Sequence, residues 1–180
     1  NKGQTLADIT NGDGELIYNS TNKAPEGGKL YYMAVAVDSS NKVLIQDGKV
    51  EVSTANISAV GGTSLIPPLD GSEDYKSFQN KEVGLGEVFE VETNDDYYAE
   101  GNETFTVKIT SLVDTIYETP LINTSYDTVT STITDNPANK DTSNPQTPTE
   151  PKDPNNPDGA KEYDENDTVY VVVTTPNTVT

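Results

Sequence analysis

Carboxylates crowd one short stretch of the chain, TNDDYYAEGNETFTVKIT, which runs from Thr93 to Thr110. Four acidic side chains fall within nine residues there, with no cation among them: Asp95, Asp96, Glu100 and Glu103. The second half of the stretch alternates apolar and polar residues, as a β-strand does. Two carboxylates about 4 Å apart repel by roughly 1 kcal/mol in water and by several at the effective dielectric of a protein surface. The stretch therefore predicts either a bound hard cation or a set of solvated loop side chains.

Other acidic residues stand in the predicted loops. Glu26 lies in PEGG, Asp74 in GSEDY and Asp135 in TITDN. Strands that alternate in direction bring such loops together at one pole of a sandwich, so we expect these acids to join the first group. Oxygen ligands with irregular spacing suit Ca²⁺, which takes six to eight oxygens, better than they suit Mg²⁺.

The composition excludes several kinds of chemistry. The chain has 180 residues and a net charge of -19, and its eleven basic residues are all lysines. It contains no His or Cys, which excludes a Ser-His or Cys-His nucleophile, the usual zinc ligands and a disulfide framework. The negative field would repel nucleic acid and anionic lipid, so we expect neither nucleic-acid binding nor membrane insertion.

Strand and turn signals fill the first 135 residues. Short runs rich in β-branched and aromatic residues are separated by Asn-Gly, Asp-Gly, Gly-Gly and Pro-Pro pairs, and no window keeps an apolar stripe at helical spacing. The pattern predicts an all-β, immunoglobulin-like antiparallel β-sandwich of about seven strands. The predicted strands are Glu15 to Ser20, Lys29 to Val37, Lys49 to Thr54, Val88 to Thr93, Thr104 to Leu112 and Thr128 to Thr134.

Residues 15 to 136 resemble the Calx-beta domain, which also recurs in large bacterial surface adhesins. The resemblance rests on the order EGG, GSEDY, GEVFEVETNDDYYAEGNETFTVKI and TSTITDN. It implies a seven-stranded β-sandwich that binds Ca²⁺ at one tip through its loops. By matching position it implies a set of metal ligands, with Glu103 as a further candidate: Glu26, Asp74, Asp95, Asp96, Glu100 and Asp135.

Two features depart from that family. The family often ends in a run of aspartates, whereas here Asp135 is followed by Asn136 and Pro137, so fewer ions would bind. The insert at residues 57–74 is long, and no motif in it indicates a role. A third segment, DITNGDGE, is similar to an EF-hand loop but has Ile9 where the first carboxylate is required, so we interpret it as a turn.

The amino-acid composition changes after residue 136. This change divides the chain into a predicted sandwich at 1–136, a linker at 137–167 and a strand at 168–180. The linker has six prolines and one aromatic residue, which predicts an extended tether. The last segment, TVYVVVTTPNTVT, resembles ELIYNSTNKAP near the start of the chain. It is either the first strand of a following repeat, the simpler interpretation, or a strand that joins a neighbouring copy by β-augmentation and builds open fibres.

These features together favour a non-catalytic, calcium-binding extender module of a bacterial cell-surface adhesin or fibre. Its expected partners are neighbouring repeats or copies of itself. One alternative is a glycan-binding module that uses Tyr97, Tyr98 and Tyr163. The other is a hydrolase with a carboxylate pair, which is weaker because the same acids are better explained as metal ligands.

Overall fold

The computed structural model describes residues 5–63, 72–95 and 100–136. The predicted linker at 137–167, the predicted strand at 168–180 and Asp96 lie outside the described residues, and those predictions stay untested. A 3₁₀-helix at Leu6–Ile9 precedes the strands, and no helix in the described ranges is long and apolar enough to cross a membrane. The strands are β1 (Thr21–Pro25), β2 (Lys29–Met33), β3 (Gly48–Asn56), β4 (Gly61–Gly62), β5 (Tyr75–Lys76), β6 (Lys81–Gly84), β7 (Val88–Glu92), β8 (Glu103–Thr115) and β9 (Thr128–Thr134).

The strands form two layers. Five of them make one sheet in the order β1-β9-β8-β3-β6, and β2 pairs with β7 in a second sheet. The β4–β5 pair is connected to the end of β7 by an antiparallel bridge between Tyr75 and Thr93. Within the large sheet only β1 and β9 run parallel. The predicted all-β sandwich is confirmed.

The main core lies between the two layers. The alternation in β8 directs Phe105 and Val107 inward, where they pack with Leu30 and Val91 of the second sheet. Tyr75 is fully buried, and its ring stacks on that of Phe105 with the centroids 4.0 Å apart. Aromatic pairs contribute roughly 0.5–1.5 kcal/mol beyond the area that they bury, so this stack anchors the start of β5.

The predicted strand from Glu15 to Ser20 is wrong. In the structure Glu15 and Leu16 form only isolated bridges, to Lys42 and Thr10, and the first strand begins at Thr21. Because the parallel ladder with β9 starts at Thr21, the apolar residues just before it pack beside the sheet instead of extending it.

The other predicted strands are present with altered ends. β2 ends at Met33, four residues earlier than predicted, whereas β3 and β8 extend beyond their predicted bounds at both ends. β9 has the predicted bounds. The segment DITNGDGE is a turn, as predicted, in which the Gly14 N–H donates to the Asn11 carbonyl at 3.0 Å.

Candidate metal centre

Strand ends and strand starts from both sheets meet at one pole. The parallel register places Pro25 of β1 opposite Thr134 of β9, so the residues that follow, Glu26 and Asp135, leave neighbouring strands together. β8 begins at the same pole with Glu103. The topology thus brings acids from both ends of the sandwich sequence to one place.

Asp74 is held rigidly just before β5. Its carboxylate Oδ2 accepts the Val60 N–H at 2.5 Å, and its own N–H donates to the Val60 carbonyl at 2.7 Å. The Asn94 N–H donates to the Asp74 carbonyl at 2.8 Å. Asp74 is also only 5% exposed. The described parts of the insert, 57–63 and 72–74, therefore have a structural role that no sequence motif indicated, which is to fix this carboxylate.

Three carboxylates form a tight group at the pole. One oxygen each of Asp74, Glu100 and Glu103 lies within 4.8 Å of the other two. Burial raises the pKa of the Glu103 carboxyl to about 8, helped by a hydrogen bond with Asp74 and by the negative charges of Asp74, Glu100 and Glu26. Within the described residues neither Asp74 nor Glu103 forms a salt bridge with a lysine. Without a bound cation, the group carries like charges that oppose one another.

Glu26 and Asp135 lie around this group. Glu26 is 8% exposed, and its charge acts on Glu103. Asp135 Oδ1 accepts the N–H groups of Glu100, at 3.0 Å, and of Gly101, at 2.8 Å. Asp135 thereby positions the backbone that presents Glu100.

Asp95 lies against the turn after β1. Gly27 has a positive φ of 67°, and a Cβ added there would approach the Asp95 Cβ to 3.0 Å. Asp95 Oδ1 accepts a hydrogen bond from Asn136 Nδ2 at 3.1 Å. Asp95 and Asp135 are not members of the three-carboxylate group, and Asp96 lies outside the described residues.

Some residues that support the site gave no sequence signal. Thr93 Oγ1 donates to the Pro25 carbonyl at 2.9 Å and accepts the Gly28 N–H at 2.8 Å, which holds the turn containing Glu26 against the end of β7. Asn94 Nδ2 donates to the Glu73 carbonyl at 2.6 Å. These residues act through backbone groups that are distant in the sequence, so only the folded chain reveals them.

The donor set fits a hard divalent cation. All the ligand candidates are carboxylates, their spacing in the sequence is irregular, and burial and neighbouring negative charge raise the pKa of one member, Glu103. Ca²⁺ takes oxygen ligands in flexible geometry, whereas Mg²⁺ requires near-octahedral positions. The group fits a hydrolase less well, because the two carboxyl groups of a glycosidase flank an open substrate site. Here Asp74 is buried and accepts the Val60 N–H.

Comparison with known proteins gives structural neighbours only. No family model and no curated protein matches the sequence. The chain is similar to the apo-form Calx CBD1 domain, at 14% identity and a TM-score of 0.44, with 65% of this chain and 91% of that chain covered. It is also similar to the Calx CBD2 domain, at 16% identity and a TM-score of 0.40, with 65% and 83% covered.

A longer structure, the calcium binding domain CBD12 of CALX1.1, is similar at 17% identity and a TM-score of 0.45, with 65% of this chain covered. The chain spans 42% of the length of that structure. Because the similarity is low, the functional conclusion below depends on the carboxylates themselves.

Proposed function

We propose that the chain is a calcium-binding structural module whose ion site is the carboxylate pole of the sandwich. The observation that carries the proposal is the group formed by Asp74, Glu100 and Glu103, in which burial and like charge raise the pKa of Glu103 to about 8. Glu26 is close enough to act on the same group. A bound Ca²⁺ would supply positive charge to these carboxylates.

The role of the ion would be mechanical. Asp74 belongs to the loop before β5, Glu103 begins β8, and Glu26 follows β1. An ion held by side chains from these three places would join loops of both sheets and stiffen one end of the sandwich. Such a domain suits an extender of a cell-surface fibre, where force is transmitted along the chain.

An extracellular, bacterial-surface setting belongs to the same proposal. Outside the cell Ca²⁺ is abundant enough that constants as weak as about 10⁻⁴–10⁻³ M suffice, so a site with a constant near 10⁻⁵ M would be saturated there. A strongly acidic chain without cysteine, together with motifs similar to Calx-beta repeats of adhesins, supports this setting. The module catalyses nothing in this proposal, and we expect no activity in a screen on polysaccharides and no binding on a glycan array.

The test is thermal unfolding of the full chain in 1 mM Ca²⁺ and in chelator, with Mg²⁺ as a second ion. With a dissociation constant near 10⁻⁵ M, linkage gives about 2.7 kcal/mol of stabilisation at 100-fold excess of ion. We expect Asp74→Asn to abolish most of the shift and Asp13→Asn, in the EF-hand-like turn, to preserve it. A midpoint that does not respond to Ca²⁺ would rule out the proposal, and loss of the response in Asp13→Asn would move the ion to the turn.

A further inference from the structure

A large apolar groove lies at the opposite end of the sandwich from the carboxylates. Its volume is about 1360 Å³. Ile109 and Leu112 of β8 and Val129 of β9 line it from the large sheet, and Leu121 and Tyr126 line it from the loop between those strands. β2 ends at Met33, so the short second sheet leaves this part of the large sheet to loops.

The rim of the groove exposes large apolar side chains. Leu121 is 91% exposed, and Ile17 and Tyr126 are more than two-fifths exposed. Contiguous apolar patches rimmed by polar residues mark binding sites on soluble domains, whereas single exposed apolar residues are ordinary. The grouping of these residues at one cavity is what distinguishes them.

The outer edge of β1 is a poor place for a strand to add. The parallel register directs the backbone of Thr21, Lys23 and Pro25 away from β9. The Thr21 N–H donates to Asn19 Oδ1 at 3.1 Å, the Lys23 N–H donates to Asn22 Oδ1 at 3.0 Å, and proline has no N–H. Edge strands blocked in this way resist β-augmentation. A strand from another copy would therefore not add readily to this edge.

The sequence contains one segment whose chemistry matches the groove. Residues 168–180, TVYVVVTTPNTVT, contain no charged side chain in a chain of net charge -19, and five of the first six residues are valine or tyrosine. The segment resembles ELIYNSTNKAP at residues 15–25, and Ile17, Tyr18 and Asn22 of that stretch line the groove. A segment with a similar sequence therefore already lines the groove within the same chain.

Distance along the chain permits the segment to reach another copy. The 31 residues from 137 to 167 are rich in proline, and an extended polyproline-like tether rises about 3.1 Å per residue, or roughly 95 Å in all. That length exceeds the roughly 43 Å of an extended 13-residue strand such as β8.

We propose that residues 168–180 of one copy bind in the apolar groove of a second copy, with the valines covering Leu112, Val129 and Leu121. Donor segment and groove are different surfaces, so the contact is head-to-tail, which builds a ring where the rotation closes and an open chain where it does not. The proposal does not depend on the calcium site, which lies at the other pole.

The test uses the full chain and a variant that ends at residue 167, compared by light scattering from about 10 µM to 1 mM in chelator and in Ca²⁺. We expect the mass of the full chain to rise with concentration in both conditions, and the shortened chain to stay monomeric. Leu121→Asp should weaken association at least fivefold, because it places a charge on the rim without disturbing the core. The matched control is Ile57→Asp, 61% exposed and outside the groove, which should associate like the parent chain.

A second measurement locates the contact. A peptide of residues 168–180 is added to the isotope-labelled shortened chain, and the amide shifts are followed by NMR. Shifts confined to β8 from Ile109 onward, the start of β9 and the 116–126 loop would support the groove. Monomeric full-length chain at 1 mM, or peptide shifts only at the carboxylate pole, would overturn the proposal, and so would equal weakening by Ile57→Asp.

Discussion

The two ends of the sandwich differ in the side chains that they present, which are carboxylates at one end and exposed apolar residues at the other. At the carboxylate pole, loops are fastened to strand ends by main-chain hydrogen bonds, such as those from the Ser58 and Ala59 N–H groups to the Thr104 carbonyl at 3.0 and 2.9 Å. The side chains held there are carboxylates, among them the buried Asp74 and Glu26. At the other pole, the loop from 116 to 126 leaves Leu121 exposed above an apolar groove. In the two proposals above, one pole binds an ion and the other binds an apolar segment, a division that suits a module that joins others end to end.

The largest expected difference between the poles is in the stability lost when a tyrosine is replaced by alanine. Tyr75 is 0% exposed, stacks on Phe105 and immediately follows Asp74, whereas Tyr126 is 47% exposed and contacts the ring of Tyr18 edge-on. Tyr75→Ala should destabilise the chain by about 3–5 kcal/mol, and Tyr126→Ala by less than about 1 kcal/mol. Urea unfolding in chelator measures both. Equal losses would mean that the poles are packed alike.

The second-largest expected difference between the poles is in the stabilisation that Ca²⁺ provides. Glu103→Gln removes one carboxylate from the tight group, so we expect it to remove most of the roughly 2.7 kcal/mol of Ca²⁺-dependent stabilisation. Glu118→Gln changes an acid that lines the apolar groove and should leave that increment intact. The difference between urea midpoints with and without Ca²⁺ gives each value. An unchanged increment in Glu103→Gln would place the ion elsewhere.

A smaller difference in stability is expected between two glycine substitutions, one at the carboxylate pole and one in the turn near the start of the chain. Gly27 and Gly14 both have positive φ, but a Cβ at Gly27 would press on Asp95, whereas a Cβ at Gly14 would meet nothing within 4 Å. Gly14→Ala should cost about 1–2 kcal/mol for the left-handed backbone alone. Gly27→Ala should cost more and should also lower the affinity for Ca²⁺, because Asp95 must shift. Calorimetric titration with Ca²⁺ provides the second readout, and equal affinities in the two variants would separate Asp95 from the site.

The smallest effect concerns pH. The pKa of Glu103 is raised in the folded chain to about 8 from an ordinary value of 4.5, so between these values the folded state holds a proton that the unfolded state has lost. Stability without calcium should therefore fall as pH rises from about 4.5 to 8, by about 1 kcal/mol or less because solvent screens this partly exposed group. Urea unfolding of the parent chain and Glu103→Gln in chelator measures the difference. A slope that persists unchanged in Glu103→Gln would assign it to other acids.

Much of the β-structure could be predicted because it depends on local pattern. The alternation in TFTVKI and TVTSTIT fixes β8 and β9, since one side of each strand must be apolar to face the core. β6 could not be predicted, because KEVG has a single buried valine and owes its strand state to pairing with β3. The early strand was misplaced for a similar reason, since Leu16, Ile17 and Tyr18 are apolar in sequence but lie before the ladder with β9 begins.

By itself, the sequence determined the class of fold and the chemistry available to a site, because residue types set both. Without histidine or cysteine, only oxygen ligands remain for a metal. Only the tertiary structure decided which acids meet. It brought Asp74 against Glu100 and Glu103, used Asp135 to bind backbone N–H groups, and set the Asp95 side chain beside Gly27. Charge repulsion and burial depend on distance in space, and distance in space follows from strand pairing between segments far apart in the chain.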